Sequence, residues 1–120
     1  MIGLGCSGYS ADKSSGLVDI DHRQAREMMQ TRPGPIIIDV RTPEEYNGEL
    51  GHIDGARLIP LQSLADSMAS ISALKDSTII LVCRSGRRSG IAGKAMIEAG
   101  FKNVYNLKGG MLSWTQEARR

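Results

Sequence analysis

Cysteine is scarce: Cys6 and Cys83 are the only two in 120 residues. No CxxC pair and no Cys/His cluster at metal-ligand spacing accompanies them, which excludes a zinc-stapled fold and a dithiol redox motif. Both thiols read as free, which suits a reducing, cytoplasmic compartment. Aromatic residues make up 4% of the chain and the net charge is only +2. Stacking platforms and positive charge are therefore too few for a nucleic-acid surface. No run of 18 apolar residues occurs, so no segment reads as a transmembrane helix. There is no internal repeat. What remains is an ordinary hydrophobic content of 41% in a length that makes one domain.

That domain is expected over residues 17–120, behind a Gly/Ser-rich N-terminal tail, 1–16, without periodicity. Small residues ending at Gly5-Cys6 resemble the end of a bacterial lipoprotein signal, although Gly3 stands where a leucine is expected. An exported or lipid-anchored protein is the alternative to a cytoplasmic one on that ground.

The remaining pattern alternates strands with helices. Leu17–Ile20 reads as a short edge strand. Asp21 with Gln24 forms a capping box for a helix that Pro33-Gly34-Pro35 stops. Ile36–Val40 is a continuous apolar strand, as expected where both faces are covered. Thr42, Pro43 and Glu45 start a second, short helix, with proline at its first position. Ala56–Ile59 is a short strand ended by Pro60. Leu61, Leu64, Ala65, Met68 and Ile71 follow helical spacing. Ile79–Val82 is a buried strand. A helix follows it to Gly100, then a strand over Val104–Leu107 and a closing helix over Met111–Arg119. This order predicts an α/β fold with about five strands in a mostly parallel sheet and helices on both faces.

The chemistry concentrates where Ile79–Val82 ends. Cys83-Arg84-Ser85-Gly86-Arg87-Arg88-Ser89 sets one thiol and three arginines at the start of a helix. A chain turning there points backbone N–H groups inward, and the helix N-terminus adds partial positive charge. Both favour thiolate over thiol, as do arginines near the sulfur. Cys83 is thus the candidate nucleophile, in a pocket suited to an anion. Asp39 and Arg41 flank the end of a neighbouring strand, where they either touch substrate or pair with neighbours and brace the loop. His52 sits among glycines, with no Asp or Ser at triad-like positions.

The loop Cys83–Ser89 resembles the active-site loop of the rhodanese family of sulfurtransferases. Asp39-Val40-Arg41-Thr42-Pro43-Glu44-Glu45-Tyr46 and Gly51-His52-Ile53-Asp54-Gly55-Ala56, with Ile59-Pro60, resemble that family's upstream motifs. Gly109-Gly110-Met111-Leu112-Ser113-Trp114 resembles its closing motif. The match runs in the family's order from about Val18 to the C-terminus. It implies a single rhodanese-like domain, with Cys83 carrying sulfur as a persulfide between a small anionic donor such as thiosulfate and an acceptor. The acceptor is cyanide or a thiol, protein-borne thiols included. Arg84, Arg87 and Arg88 would hold the donor, and the loop from Arg84 to Ser89 would line the site. Asp39 and His52 would support the fold around it. No metal or organic cofactor is required, and a monomer is expected.

Two alternatives stay open on the residues. A cysteine phosphatase or arsenate reductase also sets a thiolate in a loop closed by arginine, but with five residues between the two. Here four separate Cys83 from Arg88. The other is a non-catalytic sulfur carrier or binding module whose partner does the chemistry.

Overall fold

The computed structural model describes residues 10–12 and 16–118. Six strands form one sheet: β1 (Ser10–Asp12), β2 (Leu17–Ile20), β3 (Ile36–Asp39), β4 (Arg57–Leu58), β5 (Thr78–Val82) and β6 (Asn103–Leu107). Their order across the sheet is β1-β2-β6-β5-β3-β4. The five strands from β2 to β4 run parallel, and β1 pairs antiparallel with β2. The expected five-stranded parallel sheet is therefore present. Ser10–Asp12 falls within the stretch expected as a tail, and it pairs because β2 would otherwise leave one edge of backbone donors and acceptors open. Residues 1–9 and 13–15 of that tail, with Cys6 and the suggested signal end, lie outside the described residues.

Helices cover both faces. On one face α4 (Arg87–Glu98), α3 (Leu64–Ser67) and the 3₁₀ turns Leu61–Ser63 and Ala69–Leu74 pack on the sheet. There Ile38, Ile79, Leu81 and Cys83 meet Ala92, Met96, Leu64 and Phe101. On the other face lie α1 (His22–Met28), α2 (Pro43–Tyr46) and α5 (Gly110–Ala118). There Ile37, Ile80, Val82 and Leu107 meet Ala25, Ile53 and Met111. Alternation along β5 sends successive side chains to opposite faces, and all four residues from Ile79 to Val82 are fully buried. Each such side chain contributes about 1.5–3 kcal/mol through apolar burial. Among the described residues, no helix is long and apolar enough to cross a membrane.

Both capping boxes form. The Asp21 carboxylate accepts from the Gln24 N–H and the Thr42 hydroxyl oxygen from the Glu45 N–H, and each N3 side chain reaches back to its cap. The expected single helix after Pro60 instead breaks into a 3₁₀ turn, one α turn and a second 3₁₀ stretch with Ile71 out of helical conformation. Ser67 and Ser70 explain part of this. Their hydroxyls donate to the carbonyls of Ser63 and Ser67, competing for the backbone that an uninterrupted helix would use.

Asp39 and Arg41 end β3 as a buried ion pair, each 1% exposed. The Arg41 guanidinium donates to both Asp39 carboxylate oxygens and to the carbonyls of Glu45 and Gly51. Arg41 thereby ties the end of β3 to α2 and to the loop beyond it. Removing one partner of such a pair leaves a buried charge uncompensated. Arg41→Met is therefore expected to lose about 3–5 kcal/mol of stability, and the double variant Asp39→Leu/Arg41→Met much less. Urea denaturation of the two variants beside the parent measures this.

Candidate active site

Cys83 is the residue directly after the central strand β5. Its neighbours β3 and β6 end beside it, so the sulfur lies at the carboxyl edge of a parallel sheet, where open α/β folds place their ligands. The chain turns through only three residues before α4 begins at Arg87. Gly86 makes that turn with φ at +103°, in the left-handed region where a side chain is strained.

Helix α4 has no side-chain cap. The Cys83 sulfur takes that place. The Gly86 N–H donates to Sγ at 3.1 Å, and the Ser89 hydroxyl lies 3.3 Å from it. Ser89 is also the third residue of α4, and its own N–H points to the sulfur. In α1 and α2 the corresponding N–H is received by a carboxylate or hydroxyl oxygen. Burial opposes ionisation of Cys83, but hydrogen bonds from Ser89, Gly86 and Ser85 outweigh it, and the thiol pKa lies below its ordinary value. The Ser89 hydroxyl and the backbone N–H groups are the main groups that lower it, and Arg88 is coupled to the sulfur by charge.

The three arginines divide. Arg84 and Arg87 are exposed at the mouth of the loop, and their side chains have no partner among the described residues. Arg88 is engaged: its two terminal nitrogens donate to the two Glu45 carboxylate oxygens at 2.7 and 2.8 Å. It therefore fastens the first turn of α4 to α2. The residue expected to hold the donor beside Arg84 and Arg87 is thus placed with its guanidinium on Glu45. Arg88 brings the Glu45 carboxyl down to about 2. Ser85 lies exposed on the loop, while Ser89 is fully buried beneath it.

The carboxyl-edge loop is also held from the other face. The N–H groups of Met111 and Leu112, in the first turn of α5, donate to the carbonyls of Cys83 and Arg84. Gly110 makes this approach possible. A Cβ there would stand 2.5 Å from the Arg84 carbonyl group and overlap the Cys83 carbonyl oxygen.

His52 does not reach the sulfur. Its Nδ1 lies 2.8 Å from the Tyr46 carbonyl and its ring stacks on Tyr46 at 3.6 Å, while Tyr46 donates to the Ala56 carbonyl. It packs the segment after α2. Sequence reasoning missed Glu45 beyond its cap, and missed Asn106, whose amide links Ser89, Gly86 and Asp19. An unpaired charge count around the loop could have pointed to an acid for Arg88. Nothing local marked Asn106.

The family model of the rhodanese-like domain matches residues 21–117. Thiosulfate sulfurtransferase GlpE of Pseudomonas paraeruginosa is 36% identical over 76% of this chain and 77% of its own length. The putative sulfur carrier protein YrkF of Bacillus subtilis is 33% identical over 89% of this chain and 56% of its own. The crystal structure of a rhodanese-like domain protein from Staphylococcus aureus superposes with a TM-score of 0.72, at 29% identity, over 80% of this chain and 89% of that one. The first curated relatives are longer proteins, of which the chain spans 24% to 59%.

Two outcomes test this geometry. The Glu45 carboxyl titrates near 2 in the folded chain against an ordinary 4.5. Its ion pair therefore contributes stability that is complete above about 4.5 and lost as pH falls towards 2. Glu45→Gln should remove that acid-range slope from the urea midpoint plotted against pH. Gly110→Ala should push the loop carbonyls off α5 and move the iodoacetamide alkylation profile of Cys83 to higher pH, because the Ser85 N–H behind the Arg84 carbonyl turns away from the sulfur.

Proposed function

The chain belongs to the rhodanese-like family of sulfurtransferases, and on that premise we propose that it moves sulfane sulfur from thiosulfate or a similar donor through a Cys83 persulfide. The thiolate attacks the outer sulfur of the donor. An S–S bond forms to Cys83, the bond between that sulfur and the sulfonate breaks, and its electron pair leaves with sulfite. An acceptor nucleophile, cyanide or a cellular thiol, then attacks the outer persulfide sulfur and returns Cys83 as thiolate. Two half-reactions through a covalent intermediate give ping-pong kinetics.

The observation that carries this reading is a sulfur atom filling the turn. Gly86 N–H already reaches Sγ across the loop at 3.1 Å, so the ring of donors is sized for sulfur. A phosphate-binding ring needs more room, and the four-residue interval between Cys83 and Arg88 argues against it. Arg84 and Arg87, exposed and unpaired among the described residues, are the groups for the sulfonate end of the donor. Arg88 acts through position, keeping the start of α4 against α2. Catalysis by a free thiol fits a cytoplasmic setting.

A second reading has support from YrkF, a putative sulfur carrier. On it, Cys83 accepts sulfur from a partner and hands it on without turning over thiosulfate itself. Intact-protein mass spectrometry after thiosulfate treatment separates the two. The enzyme gains the mass of one sulfur atom on Cys83 and loses it to cyanide, whereas a pure carrier stays unloaded. Cys83→Ser should abolish both loading and thiosulfate-to-cyanide transfer with circular dichroism unchanged, since a hydroxyl is not ionised near neutrality. Arg87→Ala should lower kcat/KM for thiosulfate by about 10²-fold, the lower end for loss of one anion-stabilising donor.

A further inference from the structure

Hydrogen counting beneath the sulfur leaves one proton for two acceptors. The Asn106 amide is buried at the end of β6. Its Nδ2 donates to the Asp19 carboxylate at 3.0 Å and to the Gly86 carbonyl at 3.2 Å. Both are acceptors only, so both N–H bonds are spent and the amide cannot be turned over. Its Oδ1 therefore faces Ser89, 2.5 Å away, and needs a donor there. The Ser89 hydroxyl, fully buried, has one proton, and Cys83 Sγ at 3.3 Å also wants it when ionised.

We propose that Asn106 is a positioning residue that competes with the Cys83 sulfur for the Ser89 proton. The inference rests on the persulfide reading above. In the free enzyme the negative charge is on Sγ, and the hydroxyl turns to it, leaving Asn106 Oδ1 without its donor. In the persulfide the charge moves to the outer sulfur and Sγ becomes a neutral bridging atom. The hydroxyl then returns to Asn106. The amide thus stabilises the thiol and the sulfur-loaded form relative to the free thiolate, because only the thiolate takes the Ser89 proton from it. Asp19 on β2 holds the amide in the orientation that makes this competition obligatory.

The charged groups around the sulfur are Arg84 and Arg87 on the loop and α4, Arg88 paired with Glu45, Asp39 paired with Arg41, and Asp19 behind the amide. Lys94 and Arg87 line the same surface cleft as Asp19 and Asn106. Replacing the amide with an apolar side chain leaves these charges in place but removes a donor from Asp19 and from the Gly86 carbonyl, a contribution that the Ser89→Ala background reads separately.

The test is the thiol pKa of Cys83, read as iodoacetamide alkylation rate against pH in Asn106→Leu, Ser89→Ala and the double variant. Asn106→Leu should lower the pKa by about one unit, the size expected when a hydrogen bond to a charged group is strengthened. Ser89→Ala should raise it, and in that background Asn106→Leu should have no effect. A raised pKa in Asn106→Leu, with the same shift in both backgrounds, would mean that the amide only supports Gly86 and would overturn the proposal. Should Asn106→Leu not fold, the parent decides. The side-chain carbonyl ¹³C resonance of Asn106 should titrate with Cys83 and be insensitive to pH in Ser89→Ala; a flat resonance in the parent overturns the proposal. Neither readout needs sulfur transfer, so failure to load from thiosulfate would count against the functional reading alone.

Discussion

Everything at the site depends on which way two peptide groups face. The carbonyls of Cys83 and Arg84 are bonded to the first N–H groups of α5, on the far side of the loop from the sulfur. A peptide whose carbonyl is fixed outward has its N–H fixed inward. The second of these peptides thereby turns the Ser85 N–H towards Sγ, and the next residue brings the Gly86 N–H to it. The same bonds satisfy N–H groups that a helix start leaves open, so α5 and the loop each complete the other.

The frame around this contact is arranged to hold it. β5 delivers the cysteine from the middle of the sheet, where no side chain from Ile79 to Val82 sees solvent. Arg41 fixes the end of β3 on one flank, and the amide of Asn106 fixes the end of β6 on the other. Arg88 and Glu45 join the two helices that lie on opposite faces of the sheet. Helix α4 starts with two arginines and no acid, an arrangement that opposes its own dipole. A local conflict of that kind is expected where an anion completes the structure.

Much of this was legible in the chain. The capping boxes at Asp21 and Thr42 were readable because their partners lie three residues apart, and β5 because a buried central strand is apolar on both faces. The order of strands and helices followed from the same periodicities. What could not be read was long-range or collective. Glu45 looked like a cap residue, and its second task involves a residue 43 positions away. Asn106 sat in an ordinary strand. The segment after Pro60 has helical spacing of its apolar residues, yet serine hydroxyls and the need to reach the start of β5 break it into short turns. Arg88 was grouped with Arg84 and Arg87 by sequence proximity, although a helix separates neighbouring side chains by direction.

A sulfur that stands in for the capping side chain of α4 ties helix dynamics to redox chemistry. A carboxylate or a hydroxyl cap neither carries sulfur nor is alkylated, so the caps of α1 and α2 stay the same through a transfer cycle. On the proposed cycle the cap of α4 would lose its charge each time the sulfur was loaded. Amide exchange along the first turn of α4 would then report the chemical state of a single atom.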